Sequence, residues 1–153
     1  MDTESPTEMV ALDREESLRL LASCQVGRIA VNAPGWPPVI RPVNFIFDAR
    51  TQSVIFRSAR GGKLTALLLT QRAAFEVDGI SDHGAWSVIV QGRVVEVTNT
   101  AELARLGRLE LRPWVPGDLP HWLRLATTGV SGRRIGHVAA PRATEHPIRV
   151  RLG

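Results

Sequence analysis

Val39 to Asp48 reads VIRPVNFIFD, and four residues later Ser53 to Ser58 reads SVIFRS. In the first run Val39, Arg41, Val43, Phe45 and Phe47 alternate with their neighbours, so they share one face of an extended strand. Pro42 has no N–H, which puts the strand at a sheet edge or gives it a bulge near its middle. The turn Ala49 to Gln52 folds the two runs into a hairpin. Upstream, Asp13 and Glu16 are spaced as a capping box, and the helix they open carries Leu18, Leu21 and Cys24 on one face. Gly27 is expected to end that helix, Arg28 to Asn32 to begin a strand, and Pro34-Gly35-Trp36-Pro37-Pro38 to form a turn.

Downstream, a short helix is expected from Lys63 to Leu69 and a strand from Ala73 to Asp78. A β-rich run follows from Ala85 to Val97, in which Gly92 marks a bend or bulge. Thr100 is expected to cap a helix reaching about Leu111, stopped by Pro113. Trp122–Thr128 and Val130–Ile135 then read as a final strand pair about a Gly129 turn. Six or seven strands with short helices and no regular β-α-β alternation predict a mainly β (α+β) fold: a small antiparallel barrel with peripheral helices, which leaves few open edges. Residues 1–11 read as a disordered polar leader, 12–136 as the folded domain and 137–153 as a basic tail.

The chain of 153 residues is 44% hydrophobic and 22% charged, which fits one globular domain and excludes disorder throughout. No apolar run is long enough to span a membrane, and the acidic start is no secretory signal, so a cytoplasmic protein is expected. The one cysteine, Cys24, cannot form an internal disulfide, and the histidines show no metal-binding spacing. The net charge of +4 is unevenly spread, with acids at the start and Arg133, Arg134, Arg142, Arg149 and Arg151 at the end. A solvated surface explains that asymmetry better than nucleic-acid binding does, because no segment interleaves aromatic and basic residues.

Lys63 is the only lysine in the chain. It follows Arg60-Gly61-Gly62, just after a strand ending in Arg57 and Ser58. Glycines allow close backbone approach, a helix N-terminus presents unpaired N–H groups, and the two cations add charge. The segment therefore reads either as a phosphate site or as a plain strand-to-helix turn with exposed cations, and spacing alone slightly favours the turn. It is no nucleotide P-loop, since GxxxxGK[ST] is absent. There is no GxSxG elbow and no HExxH, so the protein either only binds or relies on a cofactor for its reactivity.

The strands GRIAV, PPVIRPVNFIFD, SVIFRSARGGKLTALL, and FEVD with AWSVIVQGRVVEV, in that order, resemble the pyridoxamine 5′-phosphate oxidase-like family of flavin-binding split barrels. The resemblance runs from about Asp13 to Ile135. It implies a six-stranded antiparallel split barrel, a homodimer with cofactor at the subunit interface, and FMN or the deazaflavin F420 as cofactor. It places Arg41, Pro42, Val43 and Asn44 along the flavin ring and ribityl chain, and Arg57 and Ser58 at strand-end contacts. Gly62 and Lys63 match the phosphate loop, and Ser87 falls beside the cofactor with Trp86 next to it; a core or subunit-interface aromatic is the other reading of Trp86. The arginine-x-histidine signature of true pyridoxamine phosphate oxidases is absent: Gly132-Arg133-Arg134-Ile135 ends the match. The resemblance thus implies a flavin-dependent oxidoreductase of a small organic substrate, with a non-enzymatic flavin or haem carrier or sensor as the alternative.

Overall fold

The structure, a computed structural model, describes residues 8–81, 84–114 and 116–136. Its elements in order are β1 (Met9–Leu12), α1 (Arg14–Ala22), β2 (Val26–Val31), β3 (Val39–Asp48), β4 (Ser53–Ser58), α2 (Gly62–Thr70), β5 (Arg72–Ser81), β6 (Gly84–Glu96), α3 (Thr100–Gly107), β7 (His121–Ala126) and β8 (Gly129–Gly136). Every pairing is antiparallel, in the order β1-β8-β6-β5-β2-β3-β4-β7, and a β6–β7 pairing closes the ring. The protein is a six-stranded closed barrel, β6-β5-β2-β3-β4-β7, with β8 and β1 added outside and three short helices. No helix of the described residues is long and apolar enough to cross a membrane.

The hairpin that opens the reading is present. β3 pairs with β2 over Val39–Asn44 and with β4 over Phe45–Asp48, so it changes partner in mid-strand. Pro42 lies where β3 has a neighbour on one side only, as its missing N–H requires. β6 makes the matching change: β5 accompanies it to Arg93, and β7 takes over at Val94. Gly92 sits at the bend, where a Cβ would lie 1.9 Å from the carbonyl oxygen of Ala126. The interior is filled by Ile29, Phe45, Val54, Phe56, Phe75, Val88, Val90, Leu123 and Leu125, with Leu20 and Leu21 from α1 and Leu64 and Leu67 from α2. A second, smaller cluster packs α3 (Leu103, Leu106) on the outer side of β3, β4 and β7 through Ile46, Ile55 and Trp122.

Asp13 caps α1 by accepting from the Glu16 N–H at 2.8 Å. The Glu16 carboxylate does not return the bond to the cap; it pairs with Arg19 at 2.7 Å and Arg134 at 2.9 Å. The structure departs from the sequence reading at four places. Residues 9–11, assigned to the polar leader, pair with β8 in a strand that ends at Leu12. Gly27 lies inside β2 rather than ending α1, because a Cβ there would meet the Phe75 ring at 2.2 Å; α1 ends at Ala22. α3 is capped by Asn99, not Thr100, and stops at Gly107, well short of Leu111. β7 and β8 do not pair with each other; each pairs with a different half of β6. Arg133 and Arg134 lie in β8, within the strand expected over Val130–Ile135, while Arg142, Arg149 and Arg151 lie outside the described residues.

Asp48, at the end of β3, holds α3 in place. Arg105 donates to its carboxylate through both terminal nitrogens, at 3.1 and 2.6 Å, and Thr51 and the Arg50 N–H add further bonds. Arg105 also meets Glu102, which Arg124 of β7 contacts as well. The Arg105 fork, then Thr51 and Arg50, pull the Asp48 carboxyl down to about 2 against the opposing effect of burial. A carboxyl with a lowered folded pKa stabilises the fold above the ordinary carboxylate pKa of about 4 and loses that contribution as pH falls toward 2. Asp48→Asn is therefore expected to cost about 2 kcal/mol at neutral pH and to flatten the acid limb of stability between pH 4 and 2, as measured by urea unfolding across pH. Two glycines give opposite expectations. Gly92→Ala must displace a backbone carbonyl and is expected to cost about 1–3 kcal/mol or more. Gly107→Ala meets nothing within 4 Å in a helix and is expected to gain up to about 1 kcal/mol. Thermal unfolding of the pair reads both.

Candidate functional site

The site forms where β3, β4 and α2 meet at one end of the barrel. β4 alternates core residues Val54 and Phe56 with outward ones, and that alternation delivers Ser58 to the core side and Arg57 to the opposite face. The chain then turns through Ala59 to Gly61, whose φ of 152° suits glycine, and enters α2 at Gly62. α1 and α3 each have a capping side chain and acids in the first turn; α2 has neither. Its first N–H groups and positive dipole end are left open to an anion.

A cleft of about 540 Å³ lies over this N-terminus. Its walls include Arg41, Pro42, Val43 and Asn44 of β3, Arg57 and Ser58 of β4, Arg60, and Gly62 and Lys63 of α2. Eight of the residues singled out in the sequence are thus brought together. Four cations line the cleft, no Asp, Glu, His or Cys does, and none of the four forms an ion pair with a described residue. Partial burial pushes the Lys63 ammonium below its ordinary value of 10.5, and the neighbouring Arg41 pushes it in the same direction.

Several of these groups are already positioned. Arg57 donates through Nε to the Leu119 carbonyl at 2.8 Å, and its guanidinium lies 4.9 Å from the centre of the Trp122 ring. Those contacts fix the fork and leave its terminal nitrogens for a ligand. Asn44 accepts from the Trp114 N–H at 2.9 Å, which leaves its NH₂ to donate. Ser58 donates to the Ala59 carbonyl at 3.0 Å. A geometry of fixed cations, free N–H groups and no carboxylate is suited to a phosphate, and the residues of the cleft fit such a group.

Trp86 and Ser87 lie elsewhere. Trp86 shares the inward parity of Val88 and Val90, and its indole covers Gly79, where a Cβ would be 2.5 Å from Nε1; this matches its reading as a core aromatic. Ser87 points to the opposite face, level with Asp78 of β5 and Arg133 of β8. Trp36, Leu64, Pro113 and Leu119 also line the cleft and were not singled out. Trp36 had a signal, a large apolar side chain in a proline-rich turn; its ring lies 3.2 Å from the place of a Gly62 Cβ. Pro113 and Leu119 had none, since only the folded chain brings them to β3 and β4, where Asn44 meets Trp114 and Arg57 meets Leu119.

The family model for pyridoxamine 5′-phosphate oxidase matches residues 13–134. The chain belongs to the pyridoxamine 5′-phosphate oxidase family. An uncharacterised protein of Mycobacterium tuberculosis is 34% identical over 140 residues, covering 86% of this chain and 89% of that protein. The structure of an FAD-binding protein from Mycobacterium smegmatis is 35% identical, with a TM-score of 0.69, over 83% of this chain and 98% of that one. A conserved protein of unknown function from Corynebacterium diphtheriae is also 35% identical, with a TM-score of 0.69, over 85% and 98%. The cleft of this family member occupies the β3, β4 and α2 segments within the matched region.

Because Lys63 carries the chain's only ε-amine, its state can be read chemically. With its pKa lowered, acetylation by acetic anhydride is expected to rise at lower pH than for a free lysine side chain, and phosphate is expected to slow it. Peptide mass mapping of the Lys63 peptide across pH measures both. A titration like that of free lysine, indifferent to phosphate, would place the amine outside any anion site.

Proposed function

We propose that the cleft grips the phosphate end of a flavin nucleotide, and that the protein is a flavin-dependent oxidoreductase acting on a small organic substrate. The observation that carries this reading is the Arg41, Arg57, Arg60 and Lys63 cluster around an uncapped helix N-terminus, with no carboxylate in the lining. Family membership and the FAD-binding Mycobacterium smegmatis relative support a flavin as the class of ligand. FMN is the proposed cofactor, with F420 as the alternative.

The flavin, when bound, supplies the hydride or electron transfer. The chain's own residues hold and shield it. Lys63 and the α2 N–H groups meet the phosphate, and Arg57, fixed by Leu119 and Trp122, adds a forked donor. Pro42, Val43 and Leu64 give an apolar wall, and Trp36 restricts solvent above Gly62. Asn44 and Ser58 offer polar contacts to the chain between phosphate and ring. With no proton donor of the Asp, Glu, His or Cys type in the cleft, a carrier or sensor with the same grip is the second reading, and turnover of a reductant and an acceptor by the loaded protein distinguishes the two.

Homodimerisation is part of the proposal. α3 covers the outer side of β3, β4 and β7, and its cluster includes no residue of the outer face of β2, β5 and β6. That face and its border carry Ile40, Ile80 and Ile89, which are 63%, 81% and 41% exposed. A second copy seated on Ile80 and Ile89 would roof, without filling, the space beside Ile40 and wall the open side of the cleft.

Affinity for the phosphate is the direct test. FMN is expected to bind at least ten-fold tighter than riboflavin, followed by flavin fluorescence quenching. Lys63→Ala is expected to weaken FMN by about 1.5–3 kcal/mol, roughly ten- to a hundred-fold, and to leave riboflavin unchanged. Equal binding of FMN and riboflavin would remove the cleft from phosphate recognition.

A further inference from the structure

A second pair of cations stands away from the cleft. Arg72 of β5 and Arg93 of β6 are direct partners in the antiparallel register, so both side chains leave the same face at the same level. Like charges in that relation repel. Neither has a carboxylate partner among the described residues; Arg93 donates to the neutral amide oxygen of Gln71 at 3.0 Å.

The pair edges a larger cavity of about 1150 Å³ on the outer face of the sheet. Part of its floor is one row of residues in register across five strands: Ile40, Ala30, Ala74, Gln91 and Gly129. Small side chains at Ala30, Ala74 and Gly129 make this row a trough. Its lining, like that of the cleft, contains no acid, although the chain has 15. Val39 lines both cavities, so trough and cleft adjoin. α2 connects them, opening in the cleft and ending beside the trough at Thr70 and Gln71. Its nine residues separate the two cation groups by roughly 13 Å. One phosphate cannot serve both.

We propose that Arg72 and Arg93 form a second oxyanion site, which holds a carboxylate or phosphate at the far end of the trough while the cleft holds the nucleotide phosphate. The inference rests on the flavin reading for the first anion and adds that the protein holds a second anionic group apart from it. An oxyanion between the two forks turns their mutual repulsion into two charge-assisted contacts, and a flat body lies against Ile40, Ala30 and Ala74. The second group belongs either to the cofactor itself, as in a dinucleotide, or to a separate anionic reactant.

The test titrates inorganic pyrophosphate calorimetrically into the full-length protein saturated with FMN, so that the cleft is filled. Wild type is expected to bind it, the Arg72→Gln/Arg93→Gln double variant at least ten-fold more weakly, and an Arg50→Gln control as wild type does. Thermal unfolding of the double variant is expected to match or exceed wild type, since a repelling pair has been removed; this separates a lost site from a lost fold. If the double variant also cancels a preference for FAD over FMN, the oxyanion is the cofactor's. If FMN and FAD binding are untouched while pyrophosphate binding is lost, it belongs to a separate reactant. In flavin-free protein, pyrophosphate binding lost with Lys63→Ala reports the cleft and binding lost with Arg72→Gln/Arg93→Gln reports the trough, so failure of the flavin reading and failure of this one are seen separately. Equal pyrophosphate affinity in wild type and the double variant overturns the proposal.

Discussion

The barrel closes because β6 can serve three neighbours. Its 13 residues pair with β5 along one edge, and with β8 and then β7 along the other. The change of partner requires the strand to bend against the β7 backbone, and only a residue without a Cβ fits between Gly92 and the Ala126 carbonyl. β3 makes a corresponding change next to Pro42, where one edge is already free. These two transfers turn an open sheet into a ring. They also splay β3 from β4 at one end of the barrel, and the gap between them is where the cleft opens above α2.

Charge is distributed on two different plans. Around α3 the arginines are matched: Arg105 is shared by Asp48 and Glu102, Arg124 meets Glu102, and the group fastens the helix to the outside of the barrel. Around the cleft they are unmatched, and Lys63 is held partly out of water beside Arg41 with its pKa lowered. Desolvation and like-charge proximity both disfavour the charged lysine, so this arrangement lowers stability in the absence of an anion. Arg105 and Arg124 are thus paired where they fasten α3, whereas Arg41, Arg57, Arg60 and Lys63 around the cleft have no ion pair among the described residues, an imbalance that a bound anion would offset.

Strands and their order were legible because alternation survives in VIRPVNFIFD and SVIFRS, and Asp13 announced the first helix through its cap. Pro42 and Gly92 were legible for a stricter reason: each lacks an atom, and the fold uses the lack. What sequence could not show was partner choice. Nothing local in Trp122–Ala126 or Gly129–Gly136 says that they pair with two halves of β6 rather than with each other. Nor does Gly27 reveal whether it ends a helix or makes room for Phe75, since that depends on a strand 48 residues away. The same limit applies at the site. Arg57 to Lys63 lie close in the chain and could be read together, whereas Trp86 and Ser87 depended on which side of β6 faces inward, and Leu119 on where a loop returns.

The two cation groups differ in how the fold keeps them apart from acids. In the cleft, the separation follows from chain geometry: β4 ends, two glycines turn, and α2 begins without a capping carboxylate, so no acidic position falls nearby. In the trough, Glu76 and Asp78 lie on the same outer face of β5 as Arg72, and Arg28 of β2 engages both, at 2.9 and 3.3 Å. The nearest acids along that strand are thus held by another arginine further along the sheet, and Arg72 and Arg93 are left facing each other. An accidental excess of arginine on a sheet face would be expected to draw on any acid within reach. Here the available acids are occupied two and three pleat repeats away, and the positive end of the trough has no carboxylate partner beside its floor of alanine and glycine.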